Sequence, residues 1–239
     1  MKSYILVFFI CAFSLKSNCQ YLTSQELLNK AILYHDPNGA WQTFNGTLYI
    51  TMETPSGSNR TSKIDINLPT EEFNLITKRD STSITYTLDK GDCIISKNDS
   101  IRIANQLDKP KRSHCEMTEL YKNYYTYLYG LPMKLKDPGT IISDTIGRKN
   151  FKGNEYLVLK VNYDAKVGKD IWYFYFNPKT YAMEIYQFFK TDKKGNLMAE
   201  SGEYILLSEE AIINGIKMPK IRAWYYNKDD KYLGTDILN

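Results

Sequence analysis

The sequence predicts an α+β protein built on one curved, mostly antiparallel β-sheet with an N-terminal helix and one helical insertion packed on it. Three observations carry this. Short β-rich runs separated by polar turns fill most of the chain, as in an antiparallel meander. Only two stretches carry apolar residues at helical spacing. The stretch Ile171–Phe176 runs through Asn177-Pro178-Lys179-Thr180 into Tyr181–Phe189, which reads as a hairpin at the middle of the sheet. Its first arm is aromatic on both faces, with Trp172, Phe174 and Phe176 on one and Ile171, Tyr173 and Tyr175 on the other, so neither face is suited to free solvation.

Taken in order, Thr23 to Tyr34 opens with a cap, Thr23 or Ser24 followed by Glu26, and carries Leu27, Leu28, Ala31 and Ile32 on one helical face. His35-Asp36-Pro37-Asn38-Gly39 breaks that helix. Trp41, Phe44, Leu48, Ile50 and Met52 start the sheet, and the loop Pro55 to Asn59 closes a first hairpin. Five strands are expected at Ser62–Leu68, Glu72–Arg79, Ser83–Leu88, Cys93–Ser96 and Ser100–Ala104. Lys109-Pro110-Lys111-Arg112 ends the meander, and Met117, Leu120, Tyr121, Tyr124 and Leu128 predict a helix over Ser113–Tyr129, stopped by Gly130-Leu131-Pro132. The remaining expected strands are Thr140–Arg148, Glu155–Tyr163, the aromatic hairpin, Leu197–Leu207, Ile216–Tyr226 and Tyr232–Leu238.

Residues 1–19 have the layout of a secretory signal peptide: Lys2, an apolar run from Tyr4 to Phe13, and Ser17 and Cys19 placed for cleavage after Cys19. The rival is a lipoprotein with Cys19 lipidated, although Lys16 stands where such signals carry an aliphatic residue. Residues 20–239 then form a single domain, exported to the periplasm, outer envelope or beyond, with no transmembrane segment after cleavage. Loss of Lys2 and Lys16 lowers the formal charge from +4 to +2, and such a near-neutral surface argues against nucleic acid as partner. The mature cysteines, Cys93 and Cys115, either pair in an oxidising compartment or remain separate thiols.

Helix, meander, helical insertion and Asn-Pro-x-Thr hairpin together resemble the lipoprotein-carrier superfamily of the bacterial periplasm, the LolA/LolB-like fold. The more specific segments are His35-Asp36-Pro37-Asn38-Gly39 with Trp41, Tyr173 to Tyr181, and Leu233-Gly234-Thr235-Asp236, which resemble an uncharacterised family of secreted Gram-negative envelope proteins. The resemblance implies an incomplete barrel closed by helices over an apolar cavity. It does not carry an activity across.

Candidate chemistry is sparse. There is no Gly-x-Ser-x-Gly, phosphate loop or Cys-x-x-Cys, and His114-Cys115-Glu116 lacks the histidine pair of a metalloprotease helix. No metal or cofactor is expected. His35 and Asp36 are rim candidates: they could present a base and its orienter, or His35 could meet the last helix carbonyls while Asp36 binds the turn backbone. The aromatic load is the remaining feature, and the candidate ligand-binding face comprises Trp172, Phe174, Phe176, Tyr186, Phe188, Trp224 and Tyr226. The leading expectation is a non-catalytic monomer that binds a lipid or lipoprotein acyl chain. The alternatives are a structural or partner-binding module with a filled core, and a hydrolase using His35 and Asp36.

Overall fold

Two reciprocal capping boxes set the helix starts. Thr23 Oγ1 accepts the Glu26 N–H while Glu26 Oε2 accepts the Thr23 N–H at 2.8 Å, and helix α1 (Ser24–His35) follows. Ser113 and Glu116 repeat the arrangement before α2 (His114–Gly130). The computed structural model describes residues 22–98, 100–101 and 113–239. The expected signal segment and the turn at Lys109–Arg112 lie outside these residues.

The strands are β1 (Asn45–Glu53), β2 (Arg60–Asn67), β3 (Glu72–Arg79), β4 (Thr82–Asp89), β5 (Asp92–Lys97), β6 (Ser100–Ile101), β7 (Thr140–Ile142), β8 (Gly147–Phe151), β9 (Asn154–Tyr163), β10 (Ile171–Phe176), β11 (Met183–Phe189), β12 (Glu203–Ile213), β13 (Ile216–Tyr226) and β14 (Tyr232–Leu238). They form one antiparallel sheet ordered β6-β5-β4-β3-β2-β1-β14-β13-β12-β11-β10-β9-β7, with β8 also on β9. The two end strands do not meet, so the sheet is curved but not closed, as the sequence implied.

Three expectations are corrected. The aromatic hairpin β10-β11 is not central. It lies toward the β7 end, because the last strand returns to pair with the first, Ile50 opposite Leu238, and puts β14 and β1 in the middle. Thr140–Arg148 is not one strand: Ile142 pairs with Val161 and Gly147 with Val158 of β9, so the chain between β7 and β8 holds two residues more than the stretch of β9 opposite it and cannot stay in register. The strand expected at Leu197–Leu207 begins only at Glu203, after a turn in which Ser201 N–H donates to Met198 carbonyl and Gly202 takes φ +72°. It then runs to the Asn214-Gly215 turn, both residues at positive φ, as a two-residue hairpin requires.

One apolar core fills the side of the sheet that the helices cover, including Leu27, Leu28 and Ala31 of α1, Leu128 and Tyr129 of α2, and Leu48, Ile64, Leu75, Phe174 and Ile205 from the strands. Trp41 packs over the end of α2 because Gly130 has no side chain: a Cβ there would stand 2.3 Å from the Trp41 ring. On the other face, Tyr156, Val158, Tyr175 and Ile185 form a second cluster against Phe151 of β8, so the hairpin is covered on both sides as its aromatic pattern predicts. Cys93 of β5 and Cys115 of α2 form a disulfide across a separation of 22 residues, the pairing alternative of the two the sequence left open.

Candidate functional site

Register assembles the predicted aromatic face. Trp172 stands opposite Phe188 and Phe174 opposite Tyr186 across β10-β11, and Tyr186 is followed by Ile205 and then Trp224 on the next strands. The rings touch: Trp172 stacks on Phe188 at 4.8 Å between centroids, and Tyr186 meets Trp224 edge-on at 6.2 Å. Phe174, Phe176 and Tyr186 are fully buried and fill core, whereas Trp172, Phe188 and Trp224 are partly buried against it. Tyr226 is 42% exposed at the end of β13 and lies outside the core packing. Of the seven, Trp172 reaches an open cleft.

That cleft has a volume of about 650 Å³ and lies between α2, the segment after it, and the residues between β9 and β10. Its apolar wall is Leu120, Tyr124, Tyr127, Val167 and Trp172. Helical spacing grouped Leu120 and Tyr124 with the core-facing stripe of α2, but the stripe is divided. Tyr125, Leu128 and Tyr129 turn into the core, while Leu120 and Tyr124 stay about two-fifths exposed, at 42% and 40%. The Tyr127 ring meets Trp172 at 5.6 Å, and its hydroxyl pairs with that of Tyr163. Burial pushes the Tyr163 hydroxyl up to about 12 and raises that of Tyr127 as well. Lys134, Lys166 and Lys169 with Asp137 and Asp170 give the cleft a mixed charged lining.

His35 and Asp36 are committed to structure. His35 is 3% exposed and accepts the Met183 N–H at Nε2, 2.9 Å, with Nδ1 against the Lys217 carbonyl at 2.8 Å. Asp36 accepts the N–H groups of Ala40 and Trp41 at 2.7 and 2.9 Å. Asp36 therefore binds the turn backbone as one reading had it, but His35 bridges two strands instead of reaching the last helix carbonyls. Neither residue faces the cleft, and the geometry offers nothing to the hydrolase alternative. Among the described residues no group of three or more His, Cys, Asp or Glu is arranged to hold a metal ion.

The sequence reading missed a buried polar row. Arg222 of β13 and Asp236 of β14 are direct cross-strand partners, Asp236 is in turn opposite Met52, and Met52 opposite Arg60 of β2. Arg222 is 1% exposed and Asp236 8%. The guanidinium of Arg222 lies 3.8 Å over the Tyr129 ring and donates to the Pro219 carbonyl at 2.8 Å, and Asp236 Oδ2 accepts the Trp224 indole N–H at 3.1 Å. Two buried atoms here, Asp236 Oδ1 and the Tyr129 hydroxyl, have no hydrogen-bond partner in the protein, while the Tyr186 hydroxyl lies against the Arg222 side chain. Burial raises the Asp236 carboxyl, and the charges of Arg222 and Arg60 oppose that rise. The only sequence signals were an Asp and an Arg at inward-facing strand positions, which alternation marks as apolar.

Among solved structures, the chain is similar to a LolA superfamily protein, NE2245 from Nitrosomonas europaea, at 11% identity and a TM-score of 0.52, with 91% of each chain covered. It is also similar to a DUF1329 family protein from Desulfovibrio piger at 11% identity and a TM-score of 0.47, with 90% of each covered. The first likeness shows the fold, which is LolA-like. No curated protein matches the sequence significantly. Over residues 3–238 the sequence matches the model of a family of unknown function, DUF6503, and the chain belongs to that family.

Proposed function

We propose that this protein binds an apolar ligand, a lipid or the acyl chain of a lipoprotein, without catalysis. The observation that carries the reading is the cleft of about 650 Å³ whose wall is Leu120, Tyr124, Tyr127, Val167 and Trp172. Its volume falls within the roughly 300–1,000 Å³ of small-molecule sites. Val167 is 60% exposed there, which is a cost for a side chain with no partner and a gain once an apolar chain covers it. Each buried methylene contributes about 0.8 kcal/mol, so a chain partly housed in the cleft exchanges reversibly with a membrane. Export directed by residues 1–19, with residues 20–239 acting as a single domain in the envelope, supplies the compartment. No helix among the described residues is long and apolar enough to cross a membrane.

The test is native mass spectrometry of protein purified from the periplasm without detergent, followed by organic extraction. Recovery of a lipid near one equivalent supports the proposal. A clean mass without added species, even after exposure to total membrane lipid, overturns it in favour of a partner-binding module.

A further inference from the structure

Register puts two turns side by side at the mouth of the cleft. Strands β10 and β11 pair Ile171 with Phe189 at one end, so the segment leading into β10, 164–170, and the one leaving β11, 190–198, emerge together. They are joined there, because the Thr191 hydroxyl donates to the Lys169 carbonyl at 3.0 Å. Each closes on itself: the Val167 and Gly168 N–H groups donate to the Asp164 carbonyl at 2.7 and 3.1 Å, and Asp192 Oδ1 accepts those of Lys194 and Asn196 at 2.8 and 2.9 Å. These turns leave aliphatic side chains in water, with Val167 60%, Met198 47% and Leu197 37% exposed. Their charge is also unbalanced. Five lysines, Lys166, Lys169, Lys190, Lys193 and Lys194, stand against three aspartates. Lys190 acts on Asp170 and on Glu203 of β12. Among the described residues the other four lysines are exposed and in no ion pair.

We propose that turns 164–170 and 190–198 form a docking surface for an anionic lipid bilayer, with Val167, Leu197 and Met198 entering the headgroup region and Lys166, Lys169, Lys193 and Lys194 held against lipid phosphates. Single aliphatic residues on a surface need no explanation, but three on adjoining turns beside unpaired lysines combine the apolar and electrostatic terms that hold a protein at a charged membrane. The surface is continuous with the cleft, since Lys166, Val167 and Lys169 line both, and Trp172 in the cleft wall follows one residue into β10. A docked molecule therefore holds the mouth of the cleft against the membrane, and a chain passes between them without crossing water. The choice of a bilayer over an acidic protein face rests on the apolar-ligand reading.

The test is flotation of the full mature protein with vesicles of phosphatidylcholine alone and of phosphatidylcholine mixed with phosphatidylglycerol. Flotation with the mixed vesicles only, lost at high salt, is expected. Lys193→Gln with Lys194→Gln should weaken it about fivefold for each lysine removed. Val167→Asp and Met198→Asp should each weaken it severalfold, and because these positions are exposed, the urea midpoints should match the parent. Lys90→Gln with Lys179→Gln removes the same charge from turns at the opposite end of the strands and should leave binding unchanged. Equal loss in the two lysine double variants, or binding untouched by both aspartate variants, would reduce the effect to general charge attraction and overturn the inference. Absence of flotation, with capture by immobilised polyglutamate instead, would overturn it in favour of an acidic protein partner. Lipid recovered in native mass spectra without flotation leaves the apolar-ligand reading standing alone. Flotation of a protein that retains no lipid sinks that reading and keeps the docking surface.

Discussion

The ring of His35 joins the end of α1 to two strands that are not neighbours: Nε2 accepts the N–H of Met183 on β11 and Nδ1 lies against the carbonyl of Lys217 on β13. Accepting at Nε2 fixes the proton on Nδ1, so the ring is a neutral tautomer that donates to Lys217. Met183 follows a turn that is itself locked, since Asn177 Oδ1 accepts the N–H groups of Lys179 and Thr180 at 2.9 and 3.2 Å. Lys30 of α1 lies over the Tyr181 ring at 5.0 Å. Two of the segments that carried the resemblance, around His35 and around Asn177, thus meet in space.

A pH dependence follows from that bond. Burial lowers the His35 pKa below its ordinary 6.5, so on acidification the unfolded chain takes up the proton first. The His35 contribution to stability is complete above about pH 6.5 and falls as pH drops from there toward the lowered folded value. The slope of this single group reaches at most about 1.4 kcal/mol per pH unit. Urea unfolding between pH 7.5 and 5 checks it, and in His35→Gln this component of the pH dependence should vanish.

Reduction of the disulfide between Cys93 and Cys115 should destabilise the protein. It closes a loop of 22 residues, for which restricting the unfolded chain is worth about 3 kcal/mol. Urea midpoints with and without reductant would show it, and Cys93→Ala with Cys115→Ala should match the reduced protein within error.

Gly130→Ala should lower Tm. The added methyl would sit 2.3 and 2.5 Å from two Trp41 ring atoms, and Trp41 is 5% exposed. Overpacking of this kind costs about 1–3 kcal/mol. A Tm equal to that of the parent would mean that Trp41 can move off the helix end.

Trp172 and Phe174 should separate binding from stability. Phe174 is fully buried, so Phe174→Ala should cost about 3–5 kcal/mol by denaturant unfolding. Trp172 is partly exposed in the cleft wall, so Trp172→Gln should cost less in stability but reduce retained lipid severalfold in native mass spectra.

The sequence by itself determined the local structure. Thr23 with Glu26 and Ser113 with Glu116 are capping boxes whose geometry follows from spacing alone, and the two aromatic faces of Ile171–Phe176 required cover on both sides. The Asn214-Gly215 turn was not read from the sequence, which ended the preceding strand at Leu207 although the strand runs to Ile213; Asn-Gly favours the positive φ that a two-residue hairpin needs. Only the tertiary structure decided the rest. Pairing of β1 with β14 depends on where the ends of a long meander meet, and no local signal encodes that. Helical spacing marked Leu120 and Tyr124 as apolar but did not say whether a strand or an open cleft would face them. Arg222 and Asp236 are far enough along separate strands that only register makes them neighbours, and only the shared burial makes the unpaired oxygen of Asp236 matter.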